Sequence, residues 1–351
     1  MAAIRLGASL AVCAVVFLAL QRLLMPKYAT QAFEGNLIAE YYLSAMDHNI
    51  IFIGDCEVFA GFSPVALWEE LGVASFVRGS PQQLLWHSYY LLRDTLRHET
   101  PDLIVLSVLA MQYAEPQSEA YNRLALDGMR LSPYKLRAAR ASMTEGEALL
   151  SYVFPLLRFK ERWRELSGED FRHFFARPRV SVNGFVIRAD ARPAGWLPAP
   201  MPRASLEFGE KPLLYLGRIA DLAAARGIPL VLVKAPTLFP HWHGEWDAQI
   251  RGFAAARGIH FVNFLDYADS IGLDFSMDTF DGGATLNVFG AEKLTRFFAG
   301  WLDENFSLPD RRGEPGTAER WREKGEMQRR TVARQLEELG RNGAIADIVV
   351  R

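Results

Sequence analysis

Residues 49–55 read NIIFIGD, a short apolar run that ends in Gly-Asp. This pattern is typical of a strand buried in a parallel sheet, with a loop at its carboxyl end. Four more runs have the same character, at residues 73–79, 102–110, 230–235 and 260–265. Helical stretches separate them, at residues 64–71, 81–98, 211–226 and 245–257. This alternation predicts an α/β fold: a doubly wound parallel sheet in three α/β/α layers, with ligands at the carboxyl ends of the strands.

Composition narrows the class of protein. Of the 351 residues, 50% are hydrophobic and 23% are charged, which is a globular balance and excludes a disordered chain. The formal net charge of −2 gives no field that would recruit nucleic acid. The two cysteines, Cys13 and Cys56, are too few for a disulfide scaffold or a cysteine-based zinc cluster. We expect no cofactor and no resident metal.

The N-terminal segment indicates a membrane. Residues 4–25 read IRLGASLAVCAVVFLALQRLLM and are uncharged from position 6 to 21. As a helix this segment is about 33 Å long, enough to cross the hydrocarbon core of a bilayer. Arg5, Arg22 and Lys27 are placed to reach the two interfaces. We therefore expect residues 1–28 to be a single-pass anchor in the cell membrane, with the N-terminus in the cytoplasm and the body outside. A cleaved signal peptide is the alternative.

The spacing of the predicted strands indicates how the rest of the chain is organised. We expect one α/β domain over residues 29–306, with a largely helical insertion at about 111–209 because more than a hundred residues separate the third and fourth strands. Within it, Pro155 should break a helix and Asn183-Gly184 should form a two-residue turn. Residues 307–351 form a charged helical tail, whose helix at 317–339 should pack back on the domain.

Cys56 follows the first strand directly, in the sequence Ile53-Gly54-Asp55-Cys56. A residue at this point lies in the crevice of a doubly wound sheet. The start of a helix would lower the pKa of its thiol and favour the nucleophilic thiolate. A small buried thiol without chemistry is the structural alternative.

Three blocks together resemble the SGNH/GDSL hydrolase superfamily. Gly54-Asp55-Cys56 is similar to the Gly-Asp-Ser block, with Cys56 in the nucleophile position. Gly79, after the second strand, matches the glycine that contributes to the oxyanion hole. Residues 278–291 (DTFDGGATLNVFGA) resemble the C-terminal Asp…His block. The resemblance covers roughly residues 49–110 and 211–305, and is closest to membrane-anchored bacterial members associated with acylation of cell-envelope polysaccharide.

Two departures from the family pattern concern the catalytic triad. The nucleophile is a cysteine, and Thr285 stands where the resemblance implies the catalytic histidine. Threonine cannot act as a base near neutral pH, so a Ser-His-Asp triad is absent. His241 or His243, in the loop after the fourth strand, could replace the base.

Other interpretations of the same loop stay open. The two histidines could bind a metal together with Glu245 or Asp281, or simply hydrogen-bond within an aromatic loop. Asp281 is either a remnant of the acid–histidine block or part of a tight turn.

Aromatic and basic residues near the predicted crevice also have two interpretations. Three tryptophans could stack on sugar rings or belong to the core: Trp86, Trp242 and Trp246. Three basic residues could meet an anionic polymer or, as isolated charges usually do, lie on the solvated surface: Arg78, Arg123 and Lys234.

The resemblance implies an extracytoplasmic acyl (acetyl) transferase or esterase that acts on cell-envelope glycan. The covalent intermediate would form on Cys56, and the backbone N–H groups of Gly79 and Cys56 would stabilise the oxyanion. A membrane-bound O-acyltransferase is the implied protein partner. The alternative is a catalytically inactive SGNH fold that serves as a glycan-binding or scaffold component of an envelope polysaccharide-modification machine.

Overall fold

The structure is a computed structural model that describes residues 1–25, 36–175, 179–195, 197, 199, 203, 205–345 and 348–350. Lys27 and the expected boundary between residues 28 and 29 lie outside the described residues. The helices in this part of the chain are α1 (Ala2–Leu24), α2 (Asn36–Glu40), α3 (Cys56–Phe59), α4 (Pro64–Leu71), α5 (Leu85–Thr95), α6 (Glu119–Leu126), α7 (Pro133–Ser142), α8 (Leu149–Val153), α9 (Leu156–Phe159), α10 (Gly168–Phe175), α11 (Glu210–Ala225), α12 (Gly244–Arg257), α13 (Ala268–Ile271), α14 (Val288–Asn305) and α15 (Pro315–Asn342). Short 3-10 segments occupy Tyr41–Leu43, Leu109–Gln112, Lys160–Arg164 and Phe264–Tyr267.

Five parallel strands form one sheet, as the sequence predicts. They are β1 (Ile50–Gly54), β2 (Ser75–Gly79), β3 (Leu103–Ser107), β4 (Leu230–Lys234) and β5 (His260–Asn263). Their order is β2-β1-β3-β4-β5, so β1 lies between β2 and β3. The third and fifth strands are shorter than expected, because the chain turns into 3-10 helix at Leu109 and Phe264.

Side chains alternate between the two faces of the sheet, which is the physical basis of the layers. Along β3, Leu103 and Val105 join one core, while Ile104 and Leu106 join the other. The first core is closed by residues of α4 and α14, and the second by residues of α5, α11 and α12. The α/β fold with helices on both sides of an all-parallel sheet is therefore confirmed.

The insertion and the tail follow the sequence signals. Helix α8 ends at Val153 and α9 begins after Pro155, so the proline breaks the helix as expected. Asn183 and Gly184 have φ angles of 50° and 83° and connect an antiparallel bridge from Val182 to Phe185. In the tail, Trp321 of α15 stacks on Trp68 of α4, with ring centres 5.2 Å apart.

Helix α1 is continuous and apolar. From Ile4 to Leu24 it is long and apolar enough to cross a membrane, and its most apolar stretch is unburied. Length and composition alone do not separate an anchor from a signal sequence, which has the same character.

Candidate functional site

A cleft of about 890 Å³ opens at the carboxyl ends of β1, β3 and β4. Six segments of the described chain line it: the start of α3, the loop after β2, the turn after β3, the end of the insertion, the loop after β4 and the loop before α14. The lining residues are Asp55, Cys56, Gln82, Leu109, Gln112, Tyr113, Ala114, Glu115, Gln117, Ala199, Arg203, Phe239, Pro240, His241, His243, Asp281, Ala284 and Thr285. Five residues expected at the site (Cys56, His241, His243, Asp281 and Thr285) thus line one cavity.

Gly79 is placed differently. It ends β2 beside Gly54 of β1 and is absent from the lining of the cleft among the described residues. A Cβ atom at position 79 would come within 2.9 Å of a Val58 methyl group and 3.1 Å of the Asp55 carbonyl oxygen. The glycine is therefore needed for close packing between the strand ends, and its expected oxyanion role stays a prediction.

Cys56 is the first residue of α3, and its surroundings disfavour a thiolate. Burial raises the pKa of the Cys56 thiol well above its ordinary value, and the carboxyl groups of Asp55, Glu57 and Asp281 raise it further. The opposing effect of Lys234 is smaller. Within the described part of the chain, no hydrogen bond joins the sulfur to an imidazole. The start of the short helix α3 does not offset the effect of these three carboxyl groups on the thiol pKa.

Asp281 is engaged by its own turn. One carboxylate oxygen accepts from the backbone N–H groups of Ala284 and Thr285, at 3.1 and 2.7 Å. The other accepts from the Thr285 hydroxyl at 2.6 Å. All the hydrogen bonds that this carboxylate accepts within the described chain thus come from its own turn. Burial raises the pKa of Asp281 despite these bonds.

His241 and His243 lie on the wall of the cleft, in the loop that leaves β4. Their rings are 4.8 Å apart, and the His243 ring also contacts Trp246 at 4.6 Å. Desolvation lowers the pKa of His243, and the nearby His241 and Arg203 lower it further. Neither imidazole has a hydrogen-bond partner among the residues described, so the expected hydrogen bonds within the loop are absent there. Both rings therefore have nitrogen atoms without a partner among the described residues.

A buried polar network lies beneath this cleft. Lys234 Nζ donates to Glu57 Oε1 at 2.6 Å and to Thr237 Oγ1 at 3.0 Å, and both charged side chains are 0% exposed. The second Glu57 oxygen accepts from the Ser107 hydroxyl at 3.0 Å and from the Ala235 N–H at 3.2 Å. The network ties the ends of β1, β3 and β4 together.

Sequence reasoning missed this network. Of the two interpretations of Lys234, in the apolar run of residues 230–235, a place on the solvated surface is wrong, because the side chain is fully buried. The available signal was position: a lysine that ends a central strand must lie beside whatever follows the neighbouring strands. Arg78 and Arg123 are also buried, each with an acidic partner, Asp94 at 3.5 Å and Asp127 at 3.2 Å.

The three tryptophans belong to the core. Trp86, Trp242 and Trp246 are all buried, and Trp246 stacks on Phe208 with ring centres 5.9 Å apart. The aromatic groups available in the cleft are instead Tyr113 and Phe239. Phe239 is 40% exposed. Three glutamines add amide groups, and Glu115 and Arg203 add charged groups, so the lining is mixed in character.

The part of the chain that the structure describes contains no candidate metal site. No group of three or more His, Cys, Asp or Glu side chains there is arranged to hold a metal ion. His241 and His243 therefore lack a third ligand among those residues.

The chain was compared with known proteins by sequence. No protein-family model matches it. No curated protein matches it either.

Proposed function

We propose that this protein is a membrane-anchored, extracytoplasmic glycan-binding component of a cell-envelope polysaccharide-modification machine. In this proposal its domain is an SGNH-like fold that has kept the substrate cleft and lost turnover. Helix α1 would hold the domain at the membrane, and a membrane-bound O-acyltransferase is the class of partner that such a component would serve. The proposal is supported by the fold, the cleft and the anchor-like helix described above.

The environment of Cys56 is the observation that carries the proposal. Covalent acyl transfer needs a thiolate, or a thiol with a base in hydrogen-bond contact. Burial and three nearby carboxyl groups oppose the thiolate at Cys56. Asp281, which would orient a base, accepts all its observed hydrogen bonds from its own turn. These two observations support binding rather than covalent catalysis as the role of the cleft.

The amide and apolar part of the lining supports a hydroxyl-rich ligand. Amide side chains of Gln82, Gln112 and Gln117 can donate to and accept from sugar hydroxyl groups. The part-exposed ring of Phe239 offers an apolar face. The volume lies within the usual range for ligand pockets. A short stretch of polysaccharide meets these requirements.

Binding of a panel of neutral oligosaccharides, with and without O-acetyl groups, tests this function in the detergent-solubilised full chain. Calorimetry should detect at least one binder, and Phe239→Ala should weaken it. Phe289→Ala is the matched control, because Phe289 is 41% exposed and outside the cleft lining. No binding by any member, or an equal loss in both variants, would contradict the proposal.

Hydrolysis of a simple aryl ester provides the second arm. The wild-type rate should equal that of Cys56→Ala and that of buffer alone. A Cys56-dependent rate would contradict the loss of turnover even if a glycan binds.

Acyl transfer through Cys56 is the second candidate function. It is favoured by one observation: Cys56, His241, His243 and Asp281 line the same cleft. Catalytic contacts are often long before a substrate binds. In this case the sulfur would attack the carbonyl carbon of an acyl ester, an imidazole would take the thiol proton, and the alcohol would leave with that proton. An acyl adduct on Cys56, found by mass spectrometry after incubation with an ester donor, would favour this function.

A further inference from the structure

The part of the insertion that packs on α1 exposes six large apolar side chains. We define this set as the collar: Leu150, Phe154, Leu157, Trp163, Phe171 and Phe175, all exposed. We propose that the collar is a second membrane-binding surface that lies in the outer part of the bilayer next to α1. This inference rests on α1 crossing the membrane, which belongs to the proposed function.

Contacts between α1 and the insertion fix the position of the collar along the anchor. The Phe17 and Phe154 rings meet edge to face, with centres 5.7 Å apart. The Arg22 guanidinium lies 5.5 Å from the centre of the Phe174 ring. Arg162 donates to the carbonyl oxygen of Leu24 at 3.0 Å. The insertion therefore packs directly against the last two turns of α1.

The depth of the collar follows from the helix geometry. Residues Ile4–Leu24 make a helix of about 32 Å, close to the thickness of the hydrocarbon core. Leu24 then lies near the interface, and Phe17, seven residues earlier, lies about 10 Å deeper. A side chain that touches Phe17 must share that depth. Phe154 would therefore be immersed in the acyl chains, together with the neighbouring α8 and α9.

The composition of the segment fits an interfacial position. In α10 the apolar residues Phe171, Phe174 and Phe175 share a short helix with Asp170 and Arg172, as in helices that lie in the membrane plane. Trp163 is exposed, and tryptophan is enriched at membrane–water interfaces. Aromatic rings of this kind are costly to expose to water. At the level of the headgroups, their apolar body lies in an apolar layer while their polar edge stays near water.

The bilayer fits this surface better than a protein partner does. The collar is continuous with a helix whose most apolar stretch is itself unburied, so both need an apolar environment at the same height. Lys160 and Arg164 are exposed and form no ion pair with a described residue, which leaves their charges free for lipid phosphates. Cations beside an apolar face suit anionic headgroups.

The collar has a consequence for the cleft. The same insertion begins with Gln112, Tyr113 and Gln117, which line the cavity. A membrane-bound collar would hold the insertion, and with it this wall of the cleft, at a set height and orientation above the bilayer. A single flexible anchor would not do so.

Depth-dependent quenching tests the inference in the full chain, reconstituted at one copy per lipid nanodisc. A fluorophore is attached at Leu157→Cys in a Cys13→Ser, Cys56→Ala background. Leu157 is 55% exposed, and Leu336 of α15, 46% exposed, gives the matched control Leu336→Cys. Nitroxide placed high on the acyl chains should remove most of the fluorescence at position 157, while aqueous iodide should quench position 336. A label on native Cys13, in Cys56→Ala, reports on α1 itself.

Each remaining result is decisive. If position 157 responds to iodide like position 336 while Cys13 responds to lipid nitroxide, the anchor stands and the collar is overturned. If position 157 is shielded from both quenchers, protein covers it and the lipid assignment is wrong. If Cys13 responds to iodide, α1 does not cross the bilayer, and the proposed anchor fails together with the collar.

Discussion

Two groups of polar residues lie within one edge of the same sheet, yet they differ in how their polar atoms are used. The inner group (Ser107, Lys234, Thr237 and Glu57) is sealed and mutually hydrogen-bonded. The outer group (Cys56, His241 and His243) faces the cleft, and within the described chain its side chains make no hydrogen bond to one another. The strongest electrostatic interactions at this edge of the sheet therefore stabilise the fold.

This difference explains why a triad-like sequence need not give a triad. In a working Ser-His-Asp site, hydrogen bonds run from acid to base to nucleophile. Here Asp281 accepts only from its own turn, and Glu57 accepts from Lys234 and the other members of the buried network. No chain of hydrogen bonds among the described residues leads to the sulfur of Cys56. The cleft thus presents groups that can bind a ligand without a relay that could activate the thiol.

Breaking the inner group should have the largest effect. Lys234→Met leaves the Glu57 carboxylate buried without its cation, which should lower the free energy of unfolding by about 3–5 kcal/mol. Urea titration of the detergent-solubilised protein measures the loss. The double variant Glu57→Gln/Lys234→Met should recover part of it, since no unpaired charge remains.

A surface pair is the matched control for this variant. Arg257 donates to Asp221 at 2.6 Å, and both side chains are exposed. Arg257→Met should therefore cost less than about 1 kcal/mol. Equal losses in Lys234→Met and Arg257→Met would show that the inner group is not the structural centre of this edge.

Asp55, at the boundary between the two groups, should make the stability of the protein depend on pH. Burial, followed by the nearby Glu57, raises the pKa of Asp55 to about 8. The unfolded chain has the ordinary value of about 3.9. The stability that the protonated Asp55 contributes is thus complete below about pH 4 and is lost as pH rises through the folded pKa.

Asp55→Asn removes this dependence and keeps a residue that can cap α3. The Tm of the variant minus that of the wild type should therefore increase from pH 4 to pH 8 in a thermal-shift series. Glu40, whose pKa is raised to about 7 chiefly by burial, contributes a similar slope that Asp55→Asn leaves in place. A difference in Tm that is constant with pH would contradict the protonated state of Asp55.

The turn that holds Asp281, on the wall of the cleft, should respond less. Thr285→Val keeps the shape and the backbone N–H but removes the hydroxyl that donates to Asp281, so we expect a loss of about 1–2 kcal/mol. Thr331→Val is the control, because its hydroxyl donates to a carbonyl of its own helix and should matter less. Chemical denaturation compares the two. A Thr285→Val protein as stable as the wild type would mean that the turn does not hold the carboxylate.

The sequence predicts the sheet well because strand signals are local. The apolar run of residues 49–55 and its four counterparts each carry enough pattern to be recognised alone, and Pro155 and Asn183-Gly184 act through their own backbone. The rule that strand ends meet at one edge predicts Cys56, His241 and His243 at the cleft, whereas Asp281 and Thr285 are predicted from the family resemblance.

Long-range pairing is what the sequence conceals. Glu57 and Lys234 are 177 positions apart, and nothing near either residue indicates that the other lies 2.6 Å away. The raised pKa of Cys56 is only partly local: Asp55 and Glu57 are its sequence neighbours, but burial is its largest cause. The expectation of a lowered value came from the local helix start, whereas Asp281 and burial come from the fold. The contact of Phe154 with Phe17 likewise joins segments that no periodicity connects.

The titration of Cys56 tests the central claim most directly. In full-length Cys13→Ser protein, the rate of alkylation by iodoacetamide is followed by mass spectrometry across pH. The account predicts a thiol pKa above about 8.5, the value of an ordinary cysteine, with slower labelling than free glutathione at pH 7. Asp281→Asn should lower that pKa, because it removes a negative charge near the sulfur. A pKa below about 7.5, in the range of reactive cysteines, with labelling faster than glutathione at pH 7, would contradict the account and restore Cys56 as a nucleophile.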